Sequence, residues 1–147
     1  YKFRVSPQST SDGMIFFGID LIRSQYNFFS KRGYAIPSIM SHEYAHLLQF
    51  KLNFPFRGRW QELHADFMAG WYTARRSRYA PQNVRESMTT FFDNGDYDFN
   101  SSQHHGSPEE REEAFMAGAR LNFQYANMTG RDAYFRGLQF IRFKGAY

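Results

Sequence analysis

Apolar positions along the chain fall into short blocks separated by turn-forming residues, and each block carries its own period. Met14-Ile15-Phe16-Phe17, bounded by Gly13 and Gly18, is apolar at successive positions and predicts a short strand. Residues 21–29 continue as a helical turn or a short helix, and the pattern does not choose between them. After a break at Ser30-Lys31-Arg32-Gly33, Pro37-Ser38 opens a helix with Ser38 as its N-cap. Ile39, Met40, Tyr44, Leu47, Leu48 and Phe50 make that helix apolar on most sides, which predicts burial. It should end near Asn53, before Pro55. Leu63, Phe67 and Trp71 recur at i, i+4 and i+8 and predict a second helix over 61–72. A further helix starts at Pro81 and runs through Val84 and Met88 to Phe92.

Asp93-Asn94-Gly95-Asp96 is a turn signal, and the stretch from there to Gly106 is polar and irregular. Ser107-Pro108-Glu109-Glu110 reads as a capping box with proline at the first helical position, opening a helix to about residue 126. Thr129-Gly130 breaks it, and 131–143 form a last helix bearing Tyr134, Phe135, Phe140 and Phe143. The predicted architecture is mainly α with a short β element, an α+β domain. At 147 residues, 1–147 fits a single domain able to bury a core. The 17 Phe and 10 Tyr point to aromatic packing within it.

Composition changes the picture in three ways. There is no cysteine, so any metal site must be built from histidine and carboxylate. The net charge of +4 is modest, and Arg75-Arg76-Ser77-Arg78 reads as a solvated helix end rather than a nucleic-acid patch. No apolar run reaches the ~20 residues that span a bilayer. The chain opens on Tyr1 rather than methionine, so a missing upstream segment is expected.

The chemistry lies in His42-Glu43-Tyr44-Ala45-His46, the pattern His-Glu-x-x-His. On a helix His42 and His46 stand one turn apart, close enough to share one Zn²⁺. Glu43 projects about 100° away from His42, where it can act as a general base towards a water. Two histidines leave a hydrolytic zinc one protein ligand short. Glu62, sixteen residues beyond His46, is the first candidate, with Asp66 second and His64 third. Asp66 lies at i+4 from Glu62, so it can also accept the outer N–H of a ligand histidine. A longer motif with a third histidine does not fit: Gln49 stands at its glycine position, and Leu52-Asn53-Phe54 stands where the last histidine belongs. His104 and His105 are either solvent-facing loop residues or, for one of them, a rim group that steadies an oxyanion. Arg111 most simply pairs with a carboxylate.

His42-Glu43-x-x-His46, Glu62-x-x-Ala65-Asp66 with Phe67-x-Ala69-Gly70, and His105-Gly106-Ser107-x-x-x-Arg111 occur in that order. Together they resemble the gluzincin branch of zinc metallopeptidases, and most closely the bacterial neutral zinc metallopeptidases, over residues 13–120. Ala45 replaces the glycine frequent before the second histidine and is comparably small. The resemblance implies a compact zincin-like fold, one Zn²⁺ per chain on His42, His46 and Glu62, and Glu43 as catalytic base. It also implies a peptide or protein substrate, endopeptidase action and an extracytoplasmic setting. A zinc-stapled interaction or sensing domain with little hydrolytic activity is the alternative, and a nucleic-acid binder using Arg75, Arg76 and Arg78 is the remote one.

Overall fold

The computed structural model describes residues 13–28, 35–76, 84 and 105–147. Its helices are α1 Ile19–Phe28, α2 Ala35–Lys51, α3 Arg59–Arg76, α4 Pro108–Gln124 and α5 Gly130–Phe143. The central element is α3, in which every residue from Leu63 to Trp71 is buried, with Thr73 and Ala74 beyond them. A helix buried on all sides needs neighbours on all sides. Here α2, α4 and α5 supply them, while α1 packs on the outside of α2.

Small residues let α4 approach α3 backbone to backbone. A Cβ added at Gly70 would lie 1.9 Å from the Phe115 carbonyl oxygen, and one added at Gly118 would lie 1.9 Å from that of Phe67. The two glycines therefore form a reciprocal crossing that no larger residue fits. Ala69, Ala119 and Phe115 fill the seam together with Val84, which is itself helical and buried. Across the other face of α3, Leu63, Phe67 and Trp71 join Phe54, Ala133, Tyr134 and Ile141 in the main core.

Local chemistry sets the ends of α4 and α5. Ser107 accepts a hydrogen bond from the Glu110 amide while its own amide donates to the Glu110 carboxylate, with Pro108 in the first turn. Thr129 and Asp132 repeat the reciprocal arrangement at the start of α5. Both satisfy backbone N–H groups that have no partner inside the helix.

Three sequence expectations need correction. The short β element is absent: no strand occurs among the described residues, which are all-helical where regular, so the α+β assignment is overturned. Residues 14–17 do alternate exposed Met14 and Phe16 with half-buried Ile15 and Phe17. A strand needs a ladder partner, however, and the segment makes no ladder among the described residues; Gly13, just before it, lies against the Leu47 side chain of α2. Ser38 is not an N-cap, because α2 already begins at Ala35. Pro37 is tolerated in that first turn, where backbone N–H groups lack intrahelical acceptors anyway. The second helix is also longer than expected, covering Arg59–Arg76. The expected helix over 81–92 apart from Val84, the turn at 93–96, Arg78 and His104 lie outside the described residues. Among the described residues no helix is long and apolar enough to cross a membrane.

Candidate metal centre

The register of α2 against α3 builds the site. Ser38 bonds Thr73, His42 bonds Asp66, His46 meets Glu62, and Gln49 bonds the Gln61 carbonyl, so the two helices run antiparallel. Ser38, His42, His46 and Gln49 recur at roughly helical spacing and form one polar stripe facing α3. The apolar Met40, Tyr44 and Phe50 point outward and are 48%, 56% and 83% exposed. Ala45 and Leu48 still reach the core, but several of the larger apolar residues sit outside while the polar groups go inside because they have partners there.

His42, His46 and Glu62 converge, each offering one ligand atom within 4.8 Å of the others. The two Nε2 atoms are 3.0 Å apart, and Glu62 approaches them at 3.2 Å (Oε2 to His42) and 3.5 Å (Oε1 to His46). Donors bound to a tetrahedral ion at 2.0–2.1 Å stand about 3.3 Å from one another. The three donors therefore already hold the spacing that such an ion requires.

Both histidines are fixed from behind. The His42 Nδ1–H donates to Asp66 Oδ1 at 2.8 Å, since a carboxylate can only accept. Asp66 is fully buried and is gripped by Arg111, Nε to Oδ2 at 2.7 Å and Nη2 to Oδ1 at 2.9 Å. Gln49 accepts from the His46 Nδ1–H at 2.8 Å. With both Nδ1 atoms protonated, two neutral imidazoles would aim lone pairs at each other and at a carboxylate. The cluster calls for a cation.

In the metal-free protein a proton answers that demand. Burial pushes the His42 imidazole down, but the Asp66 and Glu62 carboxylates override it and raise its pKa to about 9. Burial pushes the Glu62 carboxyl up, yet hydrogen bonds and charge from His42 and His46 hold it well below the usual carboxylate range. His64 behaves oppositely. Burial, helped by the charge of His46 and only partly countered by a bond to the Tyr134 carbonyl, lowers it to about 4.

These shifts predict a bell-shaped stability profile for metal-free protein. The depressed His64 contributes stability that is full above pH ~6.5 and lost as pH falls through about 4, and Glu62 reinforces that acid limb. The raised His42 contributes stability that is full below pH ~6.5 and lost as pH rises through about 9. Thermal melts should peak near pH ~6.5, and bound metal should flatten the alkaline limb by replacing the proton. A melting temperature that rises steadily from pH 6 to 9 without metal contradicts this assignment.

Of the remaining sequence candidates, Glu43 is half-buried on α2, and among the described residues no hydrogen bond or ion pair engages its carboxylate. Asp66 and His64, the rival third ligands, both stand outside the cluster. Asp66 backs His42, and His64 lies in the core between Gln49 and Tyr134. His105 is exposed and also outside the cluster, on a turn whose Gly106 packs against Leu63 of α3. Arg75 donates to the Ala126 and Met128 carbonyls and lies over the Trp71 ring, while Arg76 bonds the Tyr72 hydroxyl. Arg75 thus ties the end of α3 to the α4–α5 loop, while Arg76 stays on α3 against Tyr72. Sequence reasoning missed the part Gln49 plays behind His46, and it ranked His64 as a ligand rather than as a core partner of Gln49. Gln49 had a signal, since it lies at i+3 from His46 on the same helical face; His64 had none.

Comparison with protein-family models, curated proteins and solved structures finds no match to this chain.

Proposed function

We propose that the domain is a zinc-dependent peptidase centred on His42, His46 and Glu62. The observation that carries the reading is the convergence of these three donors at ion-binding spacing, each histidine oriented by an outer acceptor. The peptidase activity, rather than another metal-dependent reaction, rests on the motif resemblance to bacterial neutral zinc metallopeptidases. So do the peptide or protein substrate and an extracytoplasmic setting.

Zinc bound at this centre supplies a Lewis acid that polarises the scissile carbonyl and brings the pKa of water towards ~7. The chain's own residues do the rest. Asp66 and Gln49 keep the two imidazoles turned so that Nε2 faces the shared point. Glu62 contributes the negative charge that holds a dication in a half-buried site. Glu43, beside His42 on α2, takes the proton from the attacking water and hands it to the leaving amine. His105, on the turn before α4, is the group assigned to steady the oxyanion.

A second reading, a metal-stapled interaction or sensing domain, is favoured by one observation. Two concavities lined by described residues lie away from the triad. One, of about 660 Å³, lies between Tyr125 and Gln139, and the other runs over Phe67, Leu121 and Phe140; neither includes a triad residue.

Metal analysis decides the centre. Purified protein should carry about one zinc per chain, and Glu62→Ala should lose nearly all of it because two histidines alone hold zinc weakly. Unchanged zinc content in Glu62→Ala would move the third ligand elsewhere. Chelator-sensitive cleavage of a mixed peptide library then separates the peptidase from the stapled domain.

A further inference from the structure

The polar contacts around His46 continue past Gln49 into the core as a chain with a fixed direction. Gln49 is 1% exposed and His64 is fully buried. The Gln49 side-chain nitrogen lies 2.8 Å from the Gln61 carbonyl oxygen and 3.0 Å from His64 Nδ1. A backbone carbonyl can only accept, so this end of the Gln49 amide is the NH₂ group. Its other end, Oε1, must then accept from His46 Nδ1 at 2.8 Å. At the far end, His64 Nε2 lies 3.0 Å from the Tyr134 carbonyl oxygen, which again can only accept. His64 therefore carries its proton on Nε2 and offers a lone pair at Nδ1 to Gln49. Two backbone carbonyls, one on α3 and one on α5, set the polarity of the whole chain.

The His64 ring has no freedom to undo this. It is wedged between Phe54, tilted against it, and Tyr134, edge-on to it, with ring centroids at 4.6 and 4.7 Å. Gly137 of α5 lies against its edge so closely that an added Cβ would meet Nε2 at 2.9 Å. A reversed Gln49 amide would oppose its oxygen to the Gln61 carbonyl and leave the His64 lone pair without a donor, an expensive state for buried groups.

We propose that Gln49 and His64 are positioning residues: together they lock His46 with its proton on Nδ1, so that its Nε2 lone pair is always presented at the shared metal point. The inference rests on the metal centre but not on peptidase activity. It assigns to His64, which touches no ligand atom of the cluster, a role in metal affinity transmitted through one amide.

Cobalt binding followed by visible absorption tests this without any substrate. Gln49→Met keeps the side-chain length and removes the acceptor, and it should weaken Co²⁺ binding by about 10- to 100-fold. His64→Leu should weaken it about tenfold, whereas His64→Asn, whose side-chain oxygen can replace Nδ1 as acceptor, should retain near wild-type affinity. A merely structural role for His64 gives the reverse order, because leucine suits an apolar core better than asparagine does. Thermal melts of each variant separate folding from affinity, and should His64→Leu not fold, Gln49→Met against His64→Asn makes the same comparison. Wild-type binding with Gln49→Met and His64→Leu equally tight overturns the proposal alone. A wild-type protein that takes up no cobalt overturns the metal centre and this proposal with it.

Discussion

Glu43→Gln is expected to keep its zinc and lose hydrolysis, with kcat/KM on any cleaved peptide falling by about 10²–10⁴-fold. Glutamine has the shape of glutamate but cannot take up a proton at neutral pH. The ligands should not notice the change, because the groups that orient them, Asp66 behind His42 and Gln49 behind His46, are untouched. Stability should also stay within about 0.5 kcal/mol, since among the described residues the Glu43 carboxylate has no hydrogen bond or ion pair to lose. Metal content, melting temperature and turnover measured on one preparation therefore separate cleanly. Undiminished turnover would remove Glu43 from the chemistry. Loss of zinc alongside activity would instead make it a ligand.

What the sequence made legible was the chemistry carried over short spans. Leu63, Phe67 and Trp71 announce α3 by their spacing, and Ser107 to Glu110 announce the start of α4 because both halves of the capping box are three residues apart. The motif pair His42 and His46 is equally local, and Glu62 with Asp66 repeats the one-turn spacing on the next helix. What was not legible depends on partners distant in the chain. Residues 14–17 look like a strand only until a ladder partner is required, and among the described residues they pair with none. The apolar residues of α2 suggested a helix buried on its hydrophobic sides. In fact Met40, Tyr44 and Phe50 face outward, because the polar stripe from Ser38 to Gln49 finds its partners on α3. His64 gave no sign of its position, since its second partner, Tyr134, lies 70 residues away on a different helix.

That polar stripe makes the buried Arg111–Asp66 pair the most consequential contact outside the ligands. Arg111→Met is expected to destabilise the protein by about 3–5 kcal/mol, because it leaves the Asp66 charge at 0% exposure without its guanidinium. Zinc affinity should fall as well, by about 10- to 100-fold, since an uncompensated Asp66 no longer holds the His42 ring at a defined angle. The two effects come apart in a double variant. Asp66→Leu combined with Arg111→Met removes both charges, so part of the lost stability should return, as replacement of buried ion pairs by apolar side chains is often neutral, while the unpaired His42 Nδ1–H keeps the recovery incomplete. Zinc affinity should not return, because the His42 Nδ1–H has lost its acceptor for good. Denaturant melts of the metal-free proteins and zinc titrations of the same samples measure the two quantities independently. If the double variant regained affinity along with stability, Asp66 would be a structural partner of Arg111 and not the residue that aims His42 at the metal.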